Sequence, residues 1–171
     1  KRARIEIPIT TGRIVERDGK KLGIVTLSTF SEGAHGLVRK EIDELLEKVA
    51  EGILLDLRGN GGGLLNEAVL VGSVFIDDGL IVSTKGRTKP ERKYDSVGGA
   101  IDEDIPVVVL VDRGTASASE IVSGAIKDRG RGTVVGTRTF GKGVFQEVQP
   151  LSNGGLLDIT VGQYFLPNGE N

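Results

Sequence analysis

Two five-residue runs, Ile53-Leu54-Leu55-Asp56-Leu57 and Val107-Val108-Val109-Leu110-Val111, leave this chain few ways to fold. Both are short, nearly continuous in apolar side chains and bounded by turn residues. A strand with one wet face alternates apolar and polar positions. A strand with no polar face belongs in a parallel sheet covered by helices. Thr133-Val134-Val135-Gly136 reads as a third buried strand of the same kind. Between the first strands the period changes. Val38, Ile42, Leu45, Leu46 and Val49 fall at helical spacing after Gly36, charged residues fill the other positions, and Gly52 ends the helix. Residues 64–75 and 117–128 read as two more helices, the latter with Ile121, Val122, Ala125 and Ile126 on one face. Strands alternating with helices through short connections specify an α/β fold with a largely parallel sheet and helices packed on it.

The remaining elements are read with the same rules. Residues 2–9 alternate, with Ala3, Ile5, Ile7 and Ile9 on one side, as in a half-buried strand. Gly12 and an Asp18-Gly19 turn follow, then a strand over 23–27. Residues 80–84 form a strand and the polar stretch 85–104 a loop. Residues 145–151 and 156–161 flank Ser152-Asn153-Gly154-Gly155, the signal of a C-terminal β-hairpin. At 171 residues the length suits one domain. With 22 Lys and Arg against 24 Asp and Glu, there is no electrostatic case for nucleic acid or an anionic membrane. No apolar run approaches the roughly 20 residues that span a bilayer. The first residue is Lys1, and the chain reads as a piece of something longer.

The chemistry is narrowed by what is scarce. There is no Cys and one His, His35, which lies in a polar stretch and reads as a surface residue. A cysteine nucleophile and a His-cluster metal site are both excluded. A serine with a lysine base is the nucleophilic arrangement that remains. Gly114-Thr115-Ala116-Ser117-Ala118-Ser119-Glu120 is a small-residue turn that opens a helix, and Lys142 sits between Gly141 and Gly143, 25 residues after Ser117. Ligands of open α/β sheets gather outside the carboxyl ends of the strands. The strand ends at Leu57 and Val111 therefore bring Gly59-Asn60-Gly61-Gly62-Gly63 toward Ser117. The amides of such a loop can hold a phosphate or a developing oxyanion, or the glycines can simply make a tight turn. Neither G-x-G-x-x-G nor the Walker pattern is present. Ser117 or Ser119 can equally be a helix cap, and Glu120 completes a capping box with Ser117. Lys142 can be an ordinary loop lysine. A base lysine must be neutral, which requires burial, and Phe140, Val144 and Phe145 are the residues to supply it. Asp56, acidic within an apolar strand, is expected to pair with Arg58 or a backbone amide.

Four segments in order resemble the C-terminal processing peptidases, the tail-specific family of serine endopeptidases. They are 22–31, the glycine loop 53–65 (with Gly61 where the family often has proline), the serine turn 116–125 and the lysine segment 136–146. The resemblance implies a crotonase- and Clp-protease-like α/β superhelix, with residues 1–171 as a protease catalytic core. It implies Ser117 as nucleophile, Lys142 as general base, Gln146 as support for the lysine, and the Gly63 and Ala118 amides as oxyanion hole. Gly62 replaces Gly63 if the loop register differs. Glu120 matches an acid of the family motif whose role is open. The implied cleavage is near the C-terminal tails of substrate proteins, with no cofactor or metal. The implied partners are proteins or peptides with exposed tails, without nucleic acid. Membrane association would come only through segments outside this chain, and homo-oligomerisation is left open. The implied location is the bacterial periplasm or cell envelope, or the thylakoid lumen of chloroplasts. A PDZ domain is expected before Arg2 and further elements after Asn171. The rivals are a non-catalytic binding module on the same fold and an acyl-CoA enzyme of the crotonase type.

Overall fold

The computed structural model describes residues 7–171. Two sheets enclose a layer of helices. In the first, β1 (Thr10–Arg17), β2 (Lys20–Leu27), β3 (Ile53–Asp56), β6 (Val107–Val111) and β7 (Thr133–Gly136) lie in the order β1-β2-β3-β6-β7. Strands β2, β3, β6 and β7 are parallel, and β1 pairs antiparallel with β2. The second sheet is antiparallel, in the order β5-β4-β9-β8, from β4 (Leu80–Lys85), β5 (Arg92–Asp95), β8 (Val144–Pro150) and β9 (Leu156–Phe165). The expected C-terminal hairpin is β8–β9.

Helices α1 (Ala34–Glu47), α2 (Leu65–Phe75) and α3 (Ala118–Asp128) lie side by side, α2 in the middle. Helix α2 is buried almost all round because it packs between α1 and α3 and against β4. Gly72 permits that contact: a Cβ there would stand 3.2 Å from Ile81 Cγ2. Val25, Leu27, Leu55, Val107 and Val109 face the helices and are buried, while Ile24, Leu54, Val108 and Leu110 on the other face are only half-buried. The apolar runs are thus covered fully on one face among the described residues.

The strand expected over 2–9 falls largely outside the described residues, and two other readings are corrected. The first strand among the described residues is β1, running directly into Asp18-Gly19. Both turn residues have positive φ, 53° and 75°, as a two-residue hairpin loop requires, so the flanking residues must be strand. Stretch 85–104 is not all loop. It contains β5, a charged edge strand in which only Tyr94 is partly buried, so no hydrophobic alternation marks it. Strand β7 is an edge rather than a buried strand, with Val135 48% exposed.

Candidate active site

The carboxyl ends of β3 and β6 lie side by side, which brings the loop after each into contact. Asn60 ties the two loops. It is fully buried, its Nδ2 donates to Leu27 O at 2.8 Å, and its Oδ1 accepts Gly62 N–H at 2.9 Å. Its carbonyl accepts Ala116 N–H at 3.0 Å and Ser119 Oγ at 3.0 Å. Thr115 Oγ1 adds a bond to Leu57 O at 2.9 Å. The approach is so close that a Cβ on Gly62 would fall 2.8 Å from Ala118 N and 2.9 Å from Ser117 Cβ. Gly62 has φ +97°, so glycine is required there twice over.

Ser117 occupies φ 55°, ψ −117°. An ordinary N-cap has extended backbone, so capping alone does not account for this conformation. A residue with a Cβ held there stores about 1–3 kcal/mol of strain. The surrounding bonds impose it: Ala116 N–H is fixed on Asn60 O, and Ser117 N–H donates to Glu120 Oε2 at 2.8 Å. Ser119, the alternative serine, is fully buried with its hydroxyl committed to Asn60 O.

Glu120 also reaches the lysine segment. Its Oε1 accepts Gly141 N–H at 2.7 Å and its Oε2 accepts Lys142 N–H at 3.0 Å. One carboxylate therefore holds both the serine turn and the lysine loop. Behind the loop the Tyr164 hydroxyl donates to Lys142 O, and Asn171 Nδ2 donates to Gly143 O at 2.7 Å and Tyr164 O at 2.6 Å. Burial, and then the charge and hydrogen bonding of Glu120, push the Tyr164 phenol far above its ordinary range, so it stays a donor. Lys142 itself is half-buried. Phe140 does not shield it: that side chain is 70% exposed, which corrects the expectation that it helps to bury the lysine.

Ser117, Lys142, Gln146, Gly63 and Ala118 all line one cleft of about 550 Å³, with Leu65, Tyr94 and Ile121 among its apolar walls. Of the two candidate glycine amides, Gly62 N–H already has an acceptor in Asn60. Among the described residues Gly63 N–H and Ala118 N–H have none. The Gly63 amide is left unpaired because Phe30 brackets it: Phe30 N–H donates to Gly62 O at 3.0 Å and Leu64 N–H donates to Phe30 O at 2.8 Å.

Asp56 pairs with Arg58, as expected, through Arg58 Nε at 2.8 Å and Nη2 at 2.6 Å. His35 lies at the surface as expected, its side chain 41% exposed, but it is not without a partner: it is the second residue of α1 and its Nδ1 lies 2.9 Å from Glu67 Oε2. Sequence reasoning passed over Asn60, Tyr164, Phe30 and Glu67. Only Asn60 carried a signal, as the one residue with a side chain inside the glycine run.

A model of peptidase family S41 matches residues 21–171. The chain is 41% identical over 150 residues to the chloroplastic C-terminal processing peptidase of Tetradesmus obliquus, covering 88% of this chain and 32% of that protein. It is 41% identical over 151 residues to the carboxyl-terminal-processing protease of a Synechocystis species, covering 88% of this chain and 35% of that protein. Among solved structures, the photosystem II D1 C-terminal processing protease superposes with a TM-score of 0.86 at 36% identity, over 99% of this chain and 46% of that one. An S41 protease from Bacteroides fragilis has the same fold, with a TM-score of 0.80 at 19% identity. The chain spans about a third of the length of the curated relatives it matches. Nothing in these likenesses favours the non-catalytic module or the acyl-CoA enzyme. With the matched family model covering nearly the whole chain, relatives near 40% identity and a shared fold, the chain belongs to peptidase family S41.

Proposed function

We propose that this chain is the catalytic core of a serine endopeptidase that cuts near the C-terminal tails of protein substrates through a Ser117–Lys142 dyad. The observation that carries the reading is the single cleft lined by Ser117, Lys142 and the two unpaired amides of Gly63 and Ala118. Lys142 Nζ takes the Ser117 hydroxyl proton as Oγ attacks the peptide carbonyl. The developing oxyanion accepts hydrogen bonds from Gly63 N–H and Ala118 N–H, whose positions are set before substrate arrives. Protonated Lys142 then gives the proton to the leaving amine, and a water activated by the same lysine releases the acyl-enzyme. Gln146, on the cleft wall, supports the lysine. Strand β8 is the edge of its sheet and begins two residues after Lys142. The substrate tail adds along that edge as an extended strand, as far as Glu147 on the cleft wall. The relatives named as chloroplastic and bacterial processing proteases support a periplasmic, envelope or lumenal setting.

The test is labelling by a serine-directed fluorophosphonate, together with cleavage of an unstructured peptide. Ser117→Ala is expected to abolish both, and Lys142→Ala to abolish cleavage. Ser119→Ala is expected to keep both. Labelling that survives Ser117→Ala would transfer the nucleophile to another serine and end this reading.

A further inference from the structure

Glu67 lies outside the cleft and is buried, at 5% exposure, in the first turn of α2. Its carboxylate is turned toward a different helix. Oε1 accepts Gly33 N–H at 2.8 Å, and Oε2 accepts His35 N–H at 3.0 Å and faces His35 Nδ1 at 2.9 Å. Gly33 is the N-cap of α1, has φ 82° and offers no side chain of its own to cap that helix. Glu67 therefore caps α1 from α2, its charge close to the positive ends of both helices. Burial alone would raise its pKa. The bonds from His35 and Gly33 outweigh burial and hold the carboxyl below its ordinary range, so it is ionised at neutral pH.

The tie has a consequence for the site. The segment between β2 and α1 contains Phe30, whose backbone brackets Gly63. That bracket is tight: a Cβ on Gly63 would lie 2.4 Å from Phe30 O. On one side the segment is anchored by Ser28 N–H to Ile9 O at 2.9 Å. On the other its anchor is the Glu67 carboxylate, three residues beyond Phe30 at Gly33. The glycine loop and Glu67 also belong to the same turn-and-helix unit, so bracket and anchor share one rigid element.

We infer that Glu67 is a positioning residue for catalysis, holding the Phe30 segment so that the Gly63 N–H stays unpaired and aimed into the cleft. The inference rests on the Ser117 reading above. Glu67 never touches substrate. It acts through Gly33 and Phe30 on the one oxyanion donor that the glycine loop supplies.

Glu67→Gln keeps the shape, removes the charge and presents an amide N–H₂ to a backbone N–H that needs an acceptor. Complete loss of an oxyanion donor costs roughly 10²–10³ in kcat, and a loosened one is expected to cost about tenfold, with KM within about twofold. Amide hydrogen exchange provides an arm independent of activity. Protection at Phe30 and Leu64, which close the bracket, is expected to fall about tenfold while Leu55 and Val109 in the parallel sheet keep theirs. An unchanged kcat, a change in KM alone, or protection lost evenly over the whole chain would each overturn the inference. If Glu67→Gln does not fold, Glu67→Asp keeps the charge but draws it back by one methylene, and the same expectations apply. A wild-type protein that neither labels nor cleaves would defeat the peptidase reading instead, and the exchange arm would still decide whether Glu67 governs the bracket.

Discussion

At the scale of single residues, Ser117 and Gly62 show a serine turn built against local preference. Ser117 keeps a positive φ that a β-carbon disfavours, and the Asn60 and Glu120 bonds enforce it. Glycine takes the same backbone without strain, so Ser117→Gly is expected to raise stability by about 1 kcal/mol while abolishing cleavage. Denaturant melts of both proteins measure this, and a Ser117→Gly protein less stable than wild type would refute it. Gly62→Ala tests the opposite case. Its β-carbon would overlap backbone atoms of Ala116 and Ala118, which cannot move aside as a side chain can. Loss of folding or of activity is expected, and an active Gly62→Ala protein of normal stability would show that the two loops are not in contact.

At the scale of elements, the site is a junction of loops, and its stiffness comes from a few buried polar side chains rather than from the loops themselves. Asn60 bridges β2, the glycine loop and the serine turn. Truncating it to Ala leaves Leu27 O without its side-chain partner and frees Gly62 N–H. Each unsatisfied buried group costs about 1–3 kcal/mol, so Asn60→Ala is expected to destabilise the protein by about 3 kcal/mol. Thermal or urea unfolding reads the loss directly. The lysine loop is held differently, by Glu120 at its front and by Tyr164 and Asn171 behind. Helix α3 and strand β9, distant in sequence, therefore set where Lys142 sits.

For the whole molecule, charge matters most at low pH. Asp56 is held below its ordinary pKa first by its side-chain bond to Arg58, and Glu67 by the bonds from His35 and Gly33 that outweigh burial. A carboxylate depressed in the folded state binds fewer protons there than in the unfolded chain. Its contribution is complete above the unfolded pKa and is lost as pH falls through the folded one. Stability is therefore expected to be flat from about pH 8 to pH 5 and to fall below about pH 4. Glu67→Gln should flatten part of that acid limb. Melting temperatures taken across the range check this, and an equally steep acid limb in Glu67→Gln would remove Glu67 from the account.

Much of this was legible without coordinates. The runs at 53–57 and 107–111 could be placed as parallel strands because they lack a polar–apolar alternation, although the structure covers only one of their faces fully. The glycine loop, the serine turn and the lysine segment could be named because each carries an unusual local composition. Strands β1 and β5 were not legible. One is fixed by the turn it enters and the other by pairing with β4, and neither has a hydrophobic pattern. The same holds at the site. The sequence determined which residue types could do the chemistry. It was silent on Gly62 being occupied by Asn60 and Gly63 being left unpaired, and on Glu120 serving two loops while Glu67 caps another helix. Those choices depend on which donors and acceptors meet once distant loops pack, and hydrogen bonds between residues far apart in the chain leave no period in it.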